Sequence, residues 1–553
     1  MKSSQPRTKL SDLGIDLESI PDPAIRQAIT LLFNLVEEVS FDNDRLRAEN
    51  QTLRDEIARL KGEQGKPNIR GNNRSDISSE AERKTDRKPP QTKGSKNNRL
   101  TITRTEEVPI DKASLPTDAV PKGYETTIIQ DLVITTEVIE LKRETYYSPS
   151  RHRTFTAPVP AGYEGAFGPR LKSIVILLKT LGSMTEPAIT ELVQSFGVDI
   201  TKSSIDRILL GKKQPLHDEK ADIFTAGLAS TSYQHIDDTA ARVRGENHHS
   251  HVMCNPFYSA FFTRKHKNRL SVLCILSGVD APDELPHVWN LEAAAILAAL
   301  GWPNKHDQLV ASLPRGKPLT KTELTTWCEA QGLSATATER LTEAMAIAAY
   351  HVRTDIPVVS IFMADDAPQF KLLTKELALC WIHDGRHYKK LKPVVAWHRQ
   401  LLEAFLDEYW EFYHQLLAYK DGPNPEAATE LRTRFAELFS TQTGYDQLDD
   451  RIAKTKAKQP ELLLVLTHPE LPLHNNPAEL GARAQVRKRD VSLHTMTDEG
   501  TKVQDTLLTI AETAKKLKVN LYDYLFDRIS GAYAMPSLAD TIRERSSQVI
   551  AEA

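Results

Sequence analysis

Three stretches of this chain place carboxylates where they could share a reaction. Tyr233–Val243 has the pattern of a strand with Asp237 and Asp238 in its middle. Adjacent side chains on a strand point to opposite faces, so only one of the pair can face a given site. Acids inside a β pattern are costly to bury without a partner; a metal ion is one partner, and a surface hairpin is the plainer alternative. Ile356–Ala364 is an almost unbroken apolar run, as expected of a strand buried on both faces, and it ends at Asp365-Asp366. Ligands of open α/β sheets sit outside the carboxyl ends of the strands, although a helix N-cap would also use an Asp there. In His474–Glu479, Asn476 can cap a helix and Pro477 suits its first position. Glu479 then stands three residues after the cap, a capping-box spacing. Each carboxylate thus has a structural role open to it, and alternation alone does not choose within either Asp pair.

Taken in order, these stretches resemble a known set. Asp237-Asp238-Thr239 resembles an Asp-Glu-Thr first-strand motif, and Asp365-Asp366-Ala367-Pro368-Gln369-Phe370 resembles Asp-Gly-Tyr-Ala-Gly-Tyr. Cys380-Trp381-Ile382-His383 resembles Cys-Trp-Ala-His, and Asn475-Asn476-Pro477-Ala478-Glu479 resembles Asn-Asn-x-x-Glu. The ordered set resembles the DDE transposases of the insertion sequence 66 family, over about residues 140–530. That resemblance implies a ribonuclease-H-like core and a catalytic, metal-holding triad of Asp237, Asp365 and Glu479. It implies two Mg²⁺ (or Mn²⁺) ions, and double-stranded DNA as partner: the terminal inverted repeats of a mobile element and its target. Hard cations need oxygen ligands, which accords with Asp and Glu rather than Cys or His. Arg483, four residues after Glu479, shares its helix face and could neutralise a phosphate. Arg487 and Lys488 extend the basic run, His383 and Arg386 are DNA-contact candidates, and Asn475 and Asn476 are supporting residues. Two rivals stay open: another two-metal nuclease on the same fold, and a domesticated DNA-binding dimer with a residual site. Helper proteins are a further expected class of partner.

The totals bound the rest. A chain of 553 residues is too long for one core. With 40% apolar residues and a net charge of −3 it is not globally basic, so any DNA affinity must come from local patches. The four cysteines, Cys254, Cys274, Cys328 and Cys380, form no Cys-x-x-Cys, which argues against a zinc finger or a disulfide framework. The resembled family often carries a cysteine zinc module ahead of the first motif, where this chain has no cysteine. No signal peptide or bilayer-length apolar run is evident, so the expectation is a bacterial cytoplasmic, nucleoid-associated protein without a membrane partner.

The elements that must position these residues follow in order. Residues 1–61 are expected to form a coiled-coil helix. Ile25, Leu32, Val39, Leu46, Leu53 and Leu60 make one heptad column; Ile29, Val36, Asn43, Asn50 and Ile57 make the other. Asp42 to Arg47, Glu49 to Arg54 and Glu56 to Lys61 have the spacing of interchain ion pairs, which predicts a parallel homodimer or higher oligomer through residues 25–60. The alternative is a helix packed on its own chain. Residues 62–98 read as a disordered basic linker that tethers the catalytic bodies without fixing their orientation. Residues 99–165 are expected to be a β-rich domain, with strands at 126–134 and 136–141. Residues 166–230 read as a helical, helix-turn-helix-like domain in which Lys202, Ser203, Ser204 and Arg207 could meet DNA. Residues 231–530 are the catalytic domain. Strands are expected at 233–243, at 252–262 with an interruption at Asn255-Pro256, and at 270–276, and helical insertions at about 282–351 and 392–465. Residues 531–553 form a C-terminal tail. The fold class expected is therefore an α/β ribonuclease-H-like core with two helical insertions, preceded by a parallel coiled coil and by small β-rich and helical DNA-binding domains.

Overall fold

The computed structural model describes residues 17, 19–60, 100–302 and 307–552. The predicted linker, 62–98, lies outside them. The described residues divide into a large body, drawn from Met1–Arg70, Arg143–Thr190 and Thr201–Ala553, and a small one, drawn from Gly71–Lys142 and Glu191–Ile200.

The large body is built on a five-stranded mixed sheet. Its strands are β1 (Tyr233–Val243), β2 (Glu246–Cys254), β3 (Ser259–Arg264), β4 (Ile361–Ala364) and β5 (Glu376–Leu379), in the spatial order 3-2-1-4-5. β1 and β2 are antiparallel, joined by Arg244-Gly245, both at positive φ as a two-residue hairpin turn requires. β2 and β3 are also antiparallel, turning through Asn255–Tyr258, where the Asn255 N–H donates to the Tyr258 carbonyl at 3.2 Å. β4 runs parallel to β1, with His235 opposite Met363, and β5 runs parallel to β4. β4 is buried at all four positions, as a strand covered on both faces should be, but it takes only the last four residues of the apolar run Ile356–Ala364; residues 356–360 precede the strand and are mostly half-buried.

The third strand is not where its composition placed it. Arg269–Ser277, which contains the expected strand 270–276, is a helix. The Asn268 side chain accepts the Ser271 N–H at its start, and Gly278 closes it in the left-handed conformation. Seven of its nine residues are buried; a helix covered on all sides has no 3.6-residue stripe, so its apolar run is indistinguishable from a strand by period. The interruption expected at Asn255-Pro256 within 252–262 is the turn between β2, which ends at Cys254, and β3, which begins at Ser259.

β3 is an edge strand, yet its outward N–H groups are not open. Helix Asp498–Lys516 lies along it. Asp505 accepts the Thr263 N–H at 2.6 Å, Thr509 Oγ1 accepts that of Phe261 at 3.1 Å, and Thr513 Oγ1 accepts that of Ser259 at 3.2 Å. Four residues of helix rise about 6 Å and two residues of strand about 6.6–6.8 Å, so one polar side chain per helical turn meets every second strand amide. The sheet edge is closed by side chains rather than by another strand.

The N-terminal helix α1 (Pro23–Leu60) forms as its heptads predict. Its first half is used by its own chain. Phe33 is buried with Leu17 and Val395, and Ile29 and Val36 pack against the same cluster beside Trp397. The buried Glu37 carboxylate accepts the N–H groups of Val394 and Val395, and Asn34 donates to the Gly444 carbonyl. This part of α1 is therefore fixed to the large body, against the expectation of an unfixed tether.

The β-rich domain expected over 99–165 is also corrected. Among the described residues, 100–144 hold one short 3₁₀ turn (Lys112–Ser114) and no strand, and Ile129, Leu132, Val133 and Val138 are exposed. A short hairpin pairs Thr145–Ser148 with Arg153–Thr156. β-branched composition makes a strand only where another strand or a packed face receives it. Helices do form at Glu186–Ser195, begun by Thr185, and at Lys202–Leu210, capped by Thr201. The segments 282–351 and 392–465 are largely helical, and no helix among the described residues is long and apolar enough to cross a membrane.

The edge closure makes a stability prediction. Thr509→Val keeps the shape of the side chain but leaves the buried Phe261 N–H without an acceptor. A loss of about 1–3 kcal/mol is expected, read as a lowered thermal midpoint by calorimetry; Thr225→Val, on an exposed helix face, should leave it unchanged.

Candidate active site

The paired strands bring the two Asp pairs together by register. His235 stands opposite Met363 on parallel β1 and β4. Two residues further along each strand direction come Asp237 and Asp365, so the period of two puts them side by side on one face. Glu479 enters from helix α2 (Asn476–Ser492), in its first turn. The three carboxylates line one cleft of about 270 Å³ together with Asp238, Thr239, Cys380, His383, Arg386, Asn475 and Arg483.

Charge separates the members of each pair. Asp238 accepts the Gln369 amide at 2.5 Å and lies 3.7 Å from Lys267. Asp366 is held by Lys371 and Lys458, each at 2.6 Å. Burial pulls the Asp366 carboxyl upward, but those two ammonium groups more than offset it and hold it below the ordinary carboxylate range. The partners of Asp237 and Asp365 are instead backbone N–H groups, those of Asp238 at 2.8 Å and Ala367 at 3.2 Å. Burial pushes the Asp237 carboxyl up to about 7, and the negative charges of Asp365, Asp238 and Glu479 add to the rise. Asp365 is also raised by burial, against the opposing influence of His383. Crowded carboxylates without a cation favour the protonated form in this way.

Glu479 does not make the capping box its spacing allows. Its carboxylate receives both arms of the Arg386 guanidinium, at 2.9 and 3.1 Å. Asn475, not Asn476, stands at the cap position of the helix; Asn476 is its first residue, its N–H directed to His474 Nδ1. Among the described residues no three His, Cys, Asp or Glu side chains are already gathered to hold a metal ion. The donor set nevertheless suits a hard divalent cation, being three carboxylates on one cleft whose mutual repulsion such an ion would relieve.

Asn475 joins the parts. Its Oδ1 accepts from His235 Nδ1 at 2.9 Å, and its Nδ2 donates to the Ile236 carbonyl at 2.8 Å, so one amide grips β1 immediately before Asp237. Burial pushes His235 down to about 3, which keeps the ring neutral, with its proton on Nδ1. The Asn475 N–H donates to Cys380 Sγ at 3.2 Å, and the same sulfur caps the helix Trp381–Lys389 by accepting the His383 N–H at 3.3 Å. The Cys380 N–H in turn bonds the Ala364 carbonyl, beside Asp365.

The helix carrying His383 and Arg386 is held from behind by the 392–465 segment. Asp384 is buried against Arg451 and accepts from Thr455 at 2.8 Å, and Tyr409 donates to the Trp381 carbonyl at 2.9 Å. The aromatic residues of 397–413 mainly form this support. Phe405, Tyr409, Phe412 and Tyr413 are buried in one cluster with Trp381, and Trp410 is partly buried against it.

Of the residues expected from sequence, Asp237, Asp365, Glu479, His383, Arg386, Arg483 and Asn475 meet in the cleft. Arg487 is exposed further along the helix. Lys488 is a correction: it is buried, with its ammonium on the carbonyls of Lys179 and Thr180, where desolvation lowers it to about 8. One residue on from Arg487 it lies about 100° around the helix, on the face packed against Lys179 and Thr180, and is not available to DNA. His235, Gln369, Lys371, Asp384 and Lys458 were missed. Lys458 carries no local signal, since it reaches the site from the far end of an inserted segment.

The sequence of the second Asp pair and of the Glu479 helix has a counterpart in a known family. The family model described as "Transposase IS66 family" matches residues 320–503, which include Asp365, His383, Arg386 and Glu479. An uncharacterized protein, y4jO of Sinorhizobium fredii (strain NBRC 101917 / NGR234), is 33% identical over 313 residues, 55% of this chain and 94% of that protein. The chain belongs to the IS66 transposase family.

Asn475→Ala should strand the His235 N–H and the Ile236 carbonyl in a buried site, at about 1–3 kcal/mol for each group left unpaired. The expected result is a lower thermal midpoint. A midpoint unchanged from wild type would show that the amide does not tie β1 to the helix of Glu479.

Proposed function

We propose that the protein is a DNA transposase that cleaves and transfers strands of a mobile element through Asp237, Asp365 and Glu479 on a ribonuclease-H-like core. The observation that carries this reading is the division of labour within the Asp pairs. Asp238 and Asp366 are engaged by the protein's own amide and ammonium groups, whereas Asp237 and Asp365 keep only backbone donors at the cleft that they line with Asp238 and Glu479. The strand order 3-2-1-4-5, with three antiparallel strands leading into two parallel ones, supports the core assignment.

Asp237, Asp365 and Glu479 would hold two divalent ions, Mg²⁺ or Mn²⁺. The chemistry such ions supply is activation of a water or 3′-hydroxyl nucleophile and stabilisation of the leaving oxygen. The chain's own residues do the rest. Arg483 is exposed at the cleft and Arg487 one turn further on, in position to receive the phosphates of element-end and target DNA. His383, beside Asp365, is placed to meet the strand at the cleft wall. Asn475 and Cys380 hold β1, β4 and the Glu479 helix in one register. Asp237→Asn, Asp365→Asn and Glu479→Gln should each retain binding to element-end DNA and lose cleavage by about a hundredfold or more. Asp238→Asn and Asp366→Asn should be far milder in cleavage, and Mg²⁺ should raise the thermal midpoint of the wild type. If none of the three triad variants affects cleavage, a non-catalytic DNA-binding role replaces this reading.

The working unit is a parallel dimer through the distal half of α1. Val39, Leu46, Leu53 and Leu60 are between 51% and 73% exposed, as are Ile25 and Leu32 before them. Two copies in register would set Asn43 on Asn43 and Asn50 on Asn50, with Asp42 beside Arg47 and Glu49 beside Arg54 of the other copy. Because Ile29 and Val36 are already packed on their own chain, the seam is complete only from Val39 onward. Leu46→Lys with Leu53→Lys should halve the molar mass in light scattering and leave the body folded. A wild type that is already monomeric, or a double variant that stays dimeric, would overturn the dimer.

A further inference from the structure

The Arg386–Glu479 pair has a consequence beyond positioning. The carboxylate of Glu479 has two oxygens, and Arg386 occupies both, at 2.9 and 3.1 Å. Asp237 and Asp365 bear no such cation, and they crowd each other on adjacent strands. The three acids share one cleft, yet no three-ligand group is assembled among the described residues. Of the cleft's two arginines, Arg386 is half-buried and engaged, whereas Arg483 is exposed and makes no ion pair among the described residues.

We propose that Arg386 is a latch: it holds Glu479 out of the metal-binding set until an anion draws the guanidinium away. The inference rests on the triad reading. A planar guanidinium that binds a carboxylate through both arms binds a phosphate in the same way. A DNA phosphate entering the cleft competes with Glu479 for Arg386, and the released carboxylate completes the oxygen set beside Asp237 and Asp365. Metal and DNA then favour each other through one shared side chain. By linkage, the gain in metal affinity on DNA binding equals the gain in DNA affinity on metal binding. Without DNA the protein holds its ions loosely, so cleavage is withheld until an end is in place.

The helix that carries Arg386 is rigid enough for this role. It is capped by Cys380 at one end and fixed through the buried Asp384 to Arg451 and Thr455. Release therefore needs only side-chain rotations of Arg386 and Glu479, with no movement of the helices.

The test is a Mn²⁺ titration of the full chain without DNA, followed by calorimetry or by paramagnetic resonance of free Mn²⁺, so that no activity is read. Four variants are compared with the wild type. Arg386→Gln should bind Mn²⁺ roughly threefold or more tightly than wild type, the scale of a partly exposed ion pair. Arg483→Gln removes the same charge from the same cleft without freeing Glu479, and should give a clearly smaller change. Arg386→Gln with Glu479→Gln should lose the gain. If Arg386→Gln binds no more tightly than wild type, or Arg483→Gln matches it, the latch is wrong. Asp237→Asn separates the two readings: if it leaves Mn²⁺ binding untouched, the triad assignment itself fails. If it weakens binding while Arg386→Gln changes nothing, only the latch fails.

Discussion

A single buried amide holds the site in register. Asn475 binds the ring nitrogen of His235 and the carbonyl of Ile236 with its side chain, and the sulfur of Cys380 with its backbone N–H. These bonds join segments about 240 and 95 residues away along the chain. A side-chain amide is suited to this because it donates and accepts at once, and both of its partners here are buried and would otherwise be unpaired. The strand of Asp237, the cap of the Arg386 helix and the start of the Glu479 helix are consequently fixed relative to one another by hydrogen bonds of defined direction. Apolar packing alone would permit them to slide.

Around that junction, the protein's cations are distributed unevenly, and this sets the character of each acid. Lysines reach Asp238 and Asp366, an arginine reaches Glu479, and Asp237 and Asp365 keep only backbone donors. The helical segment 392–465 takes part directly. Its Lys458 lies between Asp366 and Asp384, and its Arg451 and Thr455 anchor the helix of His383 and Arg386. An inserted block that reads as a separate helical unit is thus the back wall of the candidate site.

Much of this was legible in the residues, and the failures have physical causes. The strand of Asp237, the buried strand ending at Asp365 and the helix start at Glu479 each announce themselves through period or cap chemistry. What distinguishes the members of each pair does not, because alternation treats both alike; the lysines that engage Asp238 and Asp366 lie outside the motifs themselves, and the glutamine that engages Asp238 belongs to the motif of the other pair. Leu270–Leu276 was misread because a helix buried on every side has no polar face. Residues 126–141 have the composition of strands but no strand to pair with among the described residues. Lys488 sits in a basic run, and only the packing of its helix reveals that it turns inward to the Lys179 and Thr180 carbonyls. Half of the heptad helix is likewise claimed by its own chain through Phe33 and Glu37, a use that no repeat pattern announces.

The side-chain closure of the sheet edge also has a history in time. Thr263 and Asp505 are separated by 242 residues, and a ribosome adds about 5–20 residues per second. The edge strand is therefore made on the order of 10–50 s before the helix that satisfies its amides. For that interval the nascent sheet offers a naked row of donors to any neighbouring strand. The risk of misassembly is greatest during synthesis rather than in the finished molecule. It ends when a helix near the C-terminus delivers one carboxylate and two hydroxyls, a turn apart, to close the strand.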